Sequence, residues 1–500
     1  MRYFNIKKMK ETIKKDKGFD VVVIVASNGN SRYWNWRLSA TRNEILSPKT
    51  KIICTEENWE GGAGQLLGTL YAFQEANKVM NLKKLLKNGG TVALYHTAGY
   101  GKRMAPLCGT EGNNKPAIKL PKPIKIEGGN TLLTMLEAVL LSTQRYAKSR
   151  EGRICVFWGD QIIIPARITK RETRLPAEIF GIKQKFILSP REWRKNWQNY
   201  GILIPKKDKG VLQREKLTWK EIKKLQERGY IVPDSKGRVE LIKSMGCFSI
   251  DFLFLTALLK EFSKELELKK RKLDTDEDLW MPLTSTKREY IEKGGSIIYW
   301  KRIKRFKTRY LEREKKRMIV GVKNLGDKTL WWDYGNIANY YNNVTILLEK
   351  SDRGRAGREF YEIDKYFIKK ARKNSLKIKN SILINSEIEK GNIKNSILVN
   401  SKVKRIKTDQ AVIINTNTKY INSKKVLIYN LSEEKGVRAL PNEVITDIIA
   451  SEGTKIRMRT SLLRDSKKDW KIRLPQNPFS YSEVERCLAR LANGAFRFKL

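Results

Sequence analysis

The chain has 500 residues, of which 40% are hydrophobic, and its formal net charge at pH 7 is +49. That length exceeds one ordinary hydrophobic core, so we expect two or three domains. No apolar run reaches transmembrane length, and the charged start, MRYFNIKKMKETIKKDKGFD, lacks a signal-peptide core, which argues against a membrane protein. We infer a reducing cytoplasm, because cysteines are scattered without metal-type spacing at Cys54, Cys108, Cys155, Cys247 and Cys487.

The high positive charge has two interpretations. Clustered Lys and Arg would indicate a nucleic-acid partner. Here the basic residues are spread along the whole chain, so a Lys-, Ile- and Asn-rich coding bias and anionic substrates explain the charge better. Nucleic acid is therefore disfavoured as the main partner. The densest basic run, Lys301–Arg317, is the place to test it, and its alternative interpretation is a solvated, salt-bridged surface.

Two strands and a glycine turn are predicted near the N-terminus. Residues 20–27 (DVVVIVAS) and 51–55 have the apolar character of buried strands. The turn Gly61-Gly62-Ala63-Gly64 follows, and the next segment has the helical apolar spacing Leu66, Leu67, Leu70, Phe73, Val79. A strand, glycine turn and helix in this order suit an anion or a nucleotide. The start of a helix that needs small residues for close contact is an equally good interpretation.

The chain is organised around residues 91–120, TVALYHTAGYGKRMAPLCGTEGNNKPAIKL. The strand 91–97 runs into a loop whose glycines, Gly99 and Gly101, let backbone N–H groups approach a phosphate. Arg103 and Lys115 can add positive charge to that site. The loop fits neither a Walker A motif nor a dinucleotide-binding fingerprint. The alternative is a glycine-rich surface loop with solvated cations.

The next elements complete an α/β pattern. Asn130 is predicted to cap a helix that ends near Lys148, and the strand 153–158 ends at Gly159-Asp160. Alternating strands and helices predict a three-layer fold with a mostly parallel sheet. Ligands bind beyond the carboxyl ends of such strands, which makes Asp160 a candidate Mg²⁺ ligand.

An insertion and a second acidic strand end follow. The stretches Tyr200-Gly201, Glu215-Lys216 and 244–251 predict a hairpin and a strand that leads into a helix. Asp333 follows the apolar run 330–332, and its alternative role is to cap the helix that begins near Ile337.

The composition changes near residue 374. The sequence NSILINS at 380–386 recurs as NSILVNS at 395–401, and short β-runs separated by Asn, Ser and Gly predict a β-solenoid of few coils. Its handedness cannot be read from the pattern. The tail 440–500 is mixed and basic, and we assign it no role.

The motif A-G-x-G-x-R-M-x-P-L from Ala98, with a later Lys-Pro pair, resembles the signature of the sugar-phosphate nucleotidyltransferases (NDP-sugar pyrophosphorylases). Over residues 20–430 the chain looks most like the GDP-fucose pyrophosphorylase module of L-fucokinase/fucose-1-phosphate guanylyltransferase proteins. The strand 20–27, the glycine turn upstream of the signature and the late start of the signature carry that likeness. The turn lacks the G-S-G-G-A-T form typical of that module, and no kinase half is present.

This resemblance implies a Rossmann-like, GT-A type nucleotidyltransferase domain over residues 1–370, with a sugar-binding insertion at about 185–300. A left-handed β-helix over 371–435 and a tail of unknown role over 436–500 would follow. The implied metal ligands are Asp160 and Asp333, and the implied catalytic residues are Arg103 and Lys115. Nucleotide would contact Ala98, Gly99, Tyr100, Gly101, Gly61 and Gly62; the sugar phosphate would contact Tyr200, Gly201, Glu215, Lys216 and Gly246.

The implied reaction joins an NTP and a sugar 1-phosphate to give an NDP-sugar and pyrophosphate, by Mg²⁺-dependent in-line attack on the α-phosphorus. GTP is the favoured nucleotide and UTP the alternative; fucose 1-phosphate is the sugar phosphate that the likeness implies. His96 is the sole histidine, which leaves little room for histidine acid–base chemistry.

We expect no membrane partner and a homo-oligomer through the β-helix. The rival hypotheses are a solenoid acyltransferase, whose region has no histidine, and a basic nucleic-acid-binding protein on a catalytically decayed nucleotidyltransferase fold.

Overall fold

The computed structural model describes residues 18–99, 101–164, 175–205, 210–373, 375–449 and 453–492. Its strands are β1 (Val21–Ala26), β2 (Lys51–Glu56), β3 (Thr91–His96), β4 (Lys119–Ile126), β5 (Gly129–Thr134), β6 (Arg153–Trp158), β7 (Gln161–Ile164), β8 (Ala177–Ile187), β9 (Ile202–Pro205), β10 (Val211–Arg214), β11 (Arg238–Asp251), β12 (Val320–Asn324), β13 (Leu330–Asp333), β14 (Phe367–Lys373), β15 (Leu376–Ile384), β16 (Glu387–Lys394), β17 (Ile397–Val399), β18 (Lys402–Glu433), β19 (Val437–Arg438), β20 (Glu443–Ile449) and β21 (Lys455–Ser461).

The helices are α1 (Ser31–Ala40), α2 (Arg42–Ile45), α3 (Gly64–Val79), α4 (Leu82–Lys87), α5 (Met135–Thr143), α6 (Pro190–Asn196), α7 (Trp219–Glu227), α8 (Phe252–Glu261), α9 (Ser263–Leu268), α10 (Met281–Thr284), α11 (Lys287–Glu292), α12 (Ile297–Arg313), α13 (Ile337–Thr345), α14 (Asp352–Tyr361) and α15 (Tyr481–Ala492). Short 3₁₀ turns include Lys102–Met104, Leu107–Glu111 and Lys115–Ala117, and Asp276–Trp280 forms a π-helical turn.

The main sheet is mixed and rich in parallel strands. Four of its strands, β2, β1, β3 and β6, lie side by side in parallel, with β2 at the edge, and β11 joins β6 in antiparallel orientation. Every residue of β1 is buried, and alternate residues belong to two hydrophobic clusters, with Val22 and Ile24 on one face and Val21 and Val23 on the other. A continuous apolar run is what a strand covered on both faces requires. The predicted α/β class with a parallel-rich sheet is confirmed.

A small two-stranded sheet brings Asp333 close to Asp160. β13 pairs with β7 in antiparallel register, so that Asp333 lies opposite Gln161. The backbone N–H of Tyr334 donates to the carbonyl oxygen of Asp160 at 2.9 Å. Asp160, which directly precedes β7, and Asp333, which ends β13, are therefore neighbours at one end of this ladder.

The predicted helix from Asn130 to Lys148 is wrong at both ends. Residues 129–134 form β5, which pairs with β4, and α5 begins only at Met135. The Thr134 hydroxyl accepts from the Glu137 N–H, and the Glu137 carboxylate accepts from the Thr134 N–H at 2.8 Å. This reciprocal capping box makes Thr134, four residues after Asn130, the N-cap of the helix. The helix ends at Thr143 and is followed by a 3₁₀ turn.

The C-terminal strands stack in parallel with a fifteen-residue repeat. Ile382 pairs with Ile397, and Ile397 pairs with Val412. The Asn380 side-chain N–H donates to Asn395 Oδ1 at 2.9 Å, across a separation of 15 residues. Both asparagines have positive φ, 46° and 43°, which asparagine tolerates better than most residues. The two copies of the sequence repeat are thus neighbours in space.

The tail supports the loop that follows β3. A Cβ added at Gly109 would lie 2.7 Å from Ile448 Cδ1, and the ammonium of Lys102 lies 5.5 Å from the centre of the Trp470 ring. The Asn113 side chain donates to the backbone carbonyl of Glu485 at 3.2 Å. The tail, which the sequence left without a role, therefore contacts the back of residues 102–113.

The basic helix α12 is partly neutralised by acids of its neighbours. Arg302 pairs with Glu261 and Glu265, and Arg309 pairs with Glu261 at 3.0 Å.

All five cysteines are free thiols. Within the described ranges, no helix combines the length and the apolar character needed to cross a lipid bilayer.

Candidate active site

A cleft of about 610 Å³ lies at the carboxyl ends of β3 and β6. The structure places most of the residues singled out from the sequence on its wall: Gly61, Gly62, Ala98, Gly99, Arg103, Lys115, Asp160, Tyr200, Gly201, Glu215, Lys216, Gly246 and Asp333. Tyr100 lies outside the described residues. Gly101 does not line the cleft. A Cβ added there would lie 3.0 Å from Lys115 Cβ.

The loop after β3 approaches the cleft with its backbone. Gly99 has a φ of 120°, and a Cβ there would meet no atom within 4 Å, so the surface beside Gly99 is open. The Gly99 N–H donates to the Ser27 hydroxyl at 3.0 Å. The amide that the sequence suggested as a donor to a phosphate therefore already has an acceptor. The turn at Gly101, with a φ of 61°, lets the chain pass close to Lys115.

Two carboxylates, Asp160 and Asp333, lie close to the cations Lys115 and Arg103 on the cleft wall. Lys115 Nζ lies 2.5 Å from Asp160 Oδ2, and both side chains stay partly exposed, at 15% and 18%. Burial alone would raise the pKa of Asp160, but the Lys115 and Arg103 charges outweigh burial and hold that pKa below its usual value. Burial and next the Asp160 charge raise the pKa of Asp333. The two aspartates are therefore close enough to repel each other.

Asp333 does not cap the following helix. The Asn336 side chain accepts from the Asn339 N–H and caps α13, whereas Asp333 Oδ1 accepts from the Gly335 N–H at 2.7 Å. A Cβ added at Gly335 would lie 3.5 Å from Arg103 Nη2, which places that guanidinium over the turn. The capping alternative for Asp333 is thus wrong, and its carboxylate faces the cleft.

The glycine turn combines both of its interpretations. Gly61 and Gly62 line the cleft with φ of 72° and 84°, and a Cβ on Gly61 would meet nothing within 4 Å. At Gly64 a Cβ would lie 2.4 Å from the Leu273 carbonyl oxygen, so close contact with another segment requires glycine there. The backbone of Leu273 exchanges hydrogen bonds with Ala63 and Leu66 at this contact.

The far end of the cleft comes from the hairpin β9–β10 and from β11. Lys216 has a φ of 45°, its N–H donates to the Tyr200 carbonyl at 3.3 Å, and its ammonium lies 3.3 Å from Glu215 Oε1. Gly201 leaves room for that carboxylate, since an added Cβ would lie 2.4 Å from Glu215 Oε2. The Lys216 side chain is 66% exposed, so it can reach a ligand in the cleft.

Two tryptophans shape the wall between these ends. Gly246 has a φ of 72°, and a Cβ there would lie 2.5 Å from Trp158 Nε1, so the indole lies directly on this backbone. Trp331 donates its indole N–H to Gln161 at 3.2 Å, and its ring centroid lies 5.0 Å from that of Tyr200. Neither tryptophan was singled out from the sequence.

Acidic residues on the cleft wall were also missed, namely Glu57, Asp274 and Asp276. Asp274 Oδ1 accepts from the Gln65 N–H at the start of α3. Asp276 Oδ1 accepts from the buried Gln213 side chain at 3.3 Å. Burial and the Glu215 charge raise the pKa of Asp276 well above its usual value. The signal in the sequence was the acidic run DTDED at 274–278 in a very basic chain.

His96 lines the cleft, but burial keeps its ring in the neutral form. Its Nε2 lies 2.8 Å from the Thr69 hydroxyl, and its ring centroid is 5.2 Å from that of Trp158. Burial lowers the pKa of His96 to about 4, so the ring is neutral near pH 7. A neutral, hydrogen-bonded histidine fits the expectation that the chemistry does not depend on histidine.

The donor set of the cleft limits which metal it could hold. Among the described residues, no group of three or more His, Cys, Asp or Glu side chains has the spacing of a metal site. Asp160 and Asp333 offer carboxylate oxygens only. Mg²⁺ commonly binds to one or two carboxylates together with phosphate oxygens of a ligand, so the residues present fit Mg²⁺ bound together with a phosphate-bearing ligand.

Comparison with known proteins gives little. No family model matches the chain. No curated protein matches it. Among solved structures, the chain is similar to HddC from Yersinia pseudotuberculosis, complexed with GMP-PN, at 11% identity and a TM-score of 0.22, over 65% of this chain and 98% of that chain. A likeness at that TM-score assigns neither a function nor a substrate to this chain.

Proposed function

We propose that the protein is a sugar-1-phosphate nucleotidyltransferase, which joins an NTP to a sugar 1-phosphate and releases pyrophosphate. The observation that carries the proposal is the meeting of Arg103, Lys115, Asp160 and Asp333 in one cleft. These residues come from separate stretches of the chain, and the signature resemblance gives each of them a role in the same reaction. A surface loop with solvated cations would not bring them together.

The reaction needs positioning and charge neutralisation more than acid–base chemistry. An oxygen of the sugar 1-phosphate attacks the α-phosphorus in line, and the bond from that phosphorus to the bridging oxygen of pyrophosphate breaks. Arg103 and Lys115 hold the triphosphate and the leaving pyrophosphate by charge. Lys216 holds the sugar 1-phosphate, and Glu215 accepts hydrogen bonds from sugar hydroxyls.

The proposal assigns Mg²⁺ to Asp160 and Asp333. Bound together with the nucleotide, the ion would neutralise phosphate charge and favour attack at the α-phosphorus. Lys115 holds Asp160 as a carboxylate. Burial and the neighbouring Asp160 charge raise the pKa of Asp333, so a nearby cation would stabilise the charged form of Asp333 more than that of Asp160.

The proposed architecture follows the same resemblance. Residues 1–370 would be a GT-A type nucleotidyltransferase domain with a sugar-binding insertion at about 185–300. The parallel stack over 371–435 would be a left-handed β-helix that mediates a homo-oligomer, and 436–500 a tail that supports the signature loop. For the nucleotide, the backbones of Gly61 and Gly99 offer open surface, since a Cβ added at either would meet no atom within 4 Å.

A panel assay tests the function. The purified full chain with Mg²⁺ is given each common NTP and a set of sugar 1-phosphates, starting with GTP and fucose 1-phosphate and then UTP, and released pyrophosphate is measured. We expect one pair to release pyrophosphate well above the others. Asp160→Asn should abolish that signal, and Asp327→Asn, which removes an exposed carboxylate outside the cleft, is the matched control. No pyrophosphate from any pair would refute the proposal.

A further inference from the structure

One surface of the C-terminal strand stack carries cations with almost no acids. We call it the basic face and define it by Lys377 and Lys379 on β15, Lys390 and Lys394 on β16, and Arg405 and Lys407 on β18. All six side chains are exposed. Alternate residues of a strand point to the same side, and buried residues such as Ile393 and Ile406 lie between them.

The register places these cations next to one another. Lys379 pairs with Lys394, and Lys390 pairs with Arg405. The adjacent strand β14 adds Lys370 directly opposite Lys379. Strands lie about 4.8 Å apart and alternate residues about 6.6 Å apart, so the cations form a regular flat array. Like charges directly opposite each other destabilise a sheet.

The sheet does not balance this repulsion from within. In the described part of the chain, none of the six cations forms an ion pair. The acid that the register adds to this surface, Asp409, lies beside Lys394 and accepts from the Asn395 side chain at 2.9 Å. A coding bias toward lysine does not explain the pattern, because the neighbouring face of the same strands carries acidic residues opposite basic ones. There Lys402 pairs with Glu387 at 2.9 Å.

We propose that the basic face binds the phosphate backbone of a nucleic-acid duplex without regard to sequence. A flat array of unneutralised cations is complementary to a regular array of phosphates, and counterion release drives such binding. Single-strand binders usually add aromatic stacking, and residues 376–394 and 402–409 contain no aromatic side chain. No large exposed apolar residue of the described chain lies on β14 to β18, which disfavours insertion into a lipid surface.

This site is separate from the cleft and does not depend on the proposed catalysis. The basic helix α12 is the natural competitor, because it contains most of the densest basic run in the sequence. Part of its charge is already satisfied, since Arg302 and Arg309 pair with acids of α8 and α9. The charges of the basic face are not, so the two surfaces make different predictions.

The test measures binding of the full chain to a fluorescent 20-base-pair DNA duplex of mixed sequence over a range of salt. The face variant changes Lys379, Lys394, Arg405 and Lys407 to Glu. The matched control changes Lys301, Arg305, Lys316 and Arg317 to Glu, which alters the net charge equally on exposed residues in and just after α12. Circular dichroism checks folding, and a face variant with Gln at the same positions decides if the Glu variant is unfolded.

We expect the face variant to make the negative slope of log affinity against log salt shallower by about 3–4, and to lower affinity at 50 mM salt by at least about 10²-fold. The control should change the slope by less than about 1. Equal losses in both variants, no duplex binding by the wild type at 50 mM salt, or tighter binding to single strands or to phosphatidylserine vesicles would each overturn the proposal. Pyrophosphate release by the face variant should equal that of the wild type, which separates this test from the test of catalysis.

Discussion

The only histidine of the chain should titrate far below the usual range for histidine. His96 ends β3 at the wall of the cleft, and burial lowers its pKa from 6.5 to about 4. A fall of this size corresponds to about 3 kcal/mol of free energy that favours the neutral ring in the folded state. The ring should therefore be neutral across the pH range in which the protein works.

The hydrogen bonds also assign the tautomer. The Thr69 hydroxyl has one proton, which it donates to the Gln65 carbonyl at 2.7 Å. The same oxygen lies 2.8 Å from His96 Nε2, so it must accept there, and Nε2 carries the histidine proton. Nδ1 is then the atom that gains a proton in acid.

The sign of the pH dependence follows from this shift. Between pH 6.5 and pH 4 the unfolded chain binds a proton at His96 and the folded chain does not, so acid favours unfolding. The contribution is fully present above pH 6.5 and is lost as the pH falls toward 4. Replacing His96 with Gln, which keeps a side-chain hydrogen-bonding group, should remove this part of the acid sensitivity.

NMR of protein with ring-labelled histidine tests the prediction without any assignment, because a single histidine gives a single ring signal. We expect a titration midpoint near 4 and the chemical shifts of the Nε2–H tautomer at neutral pH. A midpoint at 6 or above, or the Nδ1–H tautomer, would refute the account of the His96 site. Unfolding temperatures of wild type and His96→Gln, compared at pH 7 and pH 5, give an independent check.

Three further predictions concern the cleft. Asp160→Asn should lower kcat for pyrophosphate release about 10²-fold or more while near-ultraviolet circular dichroism stays unchanged, and near-normal turnover would overturn its role. Lys216→Ala should mainly raise KM for the sugar 1-phosphate, and an unchanged KM would argue against a contact. Gly61→Ala should cost about 1–2 kcal/mol of stability for its left-handed φ, whereas Gly64→Ala should cost about 1–3 kcal/mol more because of the Leu273 backbone, as measured by urea unfolding.

The elements that the sequence predicted well are those whose signal is local. β1, β3 and β6 are continuous apolar runs, which a strand buried on both faces requires. Because their carboxyl ends meet at one edge of the sheet, the polar residues that follow them could be placed in one cleft from the sequence alone. The roles of those residues stay predictions.

The predictions failed where two local signals competed. Asn130 is a good helix cap by residue type, but Thr134 and Glu137 form a reciprocal capping box four residues later. Glu137 is also held by a buried ion pair with Arg37 at 2.7 Å. That partner lies 100 residues away, so no local pattern could show which cap prevails.

Tertiary contacts explain the parts of the cleft whose position the sequence could not indicate. Asp274 and Asp276 reach the cleft because the chain at Leu273 hydrogen-bonds to the glycine turn, which is about 210 residues earlier. The same holds for the tail, where Ile448 and Trp470 contact the loop that carries Arg103. No periodicity or motif records such a contact. The loop was recognisable from its own residues, whereas the tail segments that contact it carry no motif. Only the folded chain shows that the two belong to one site.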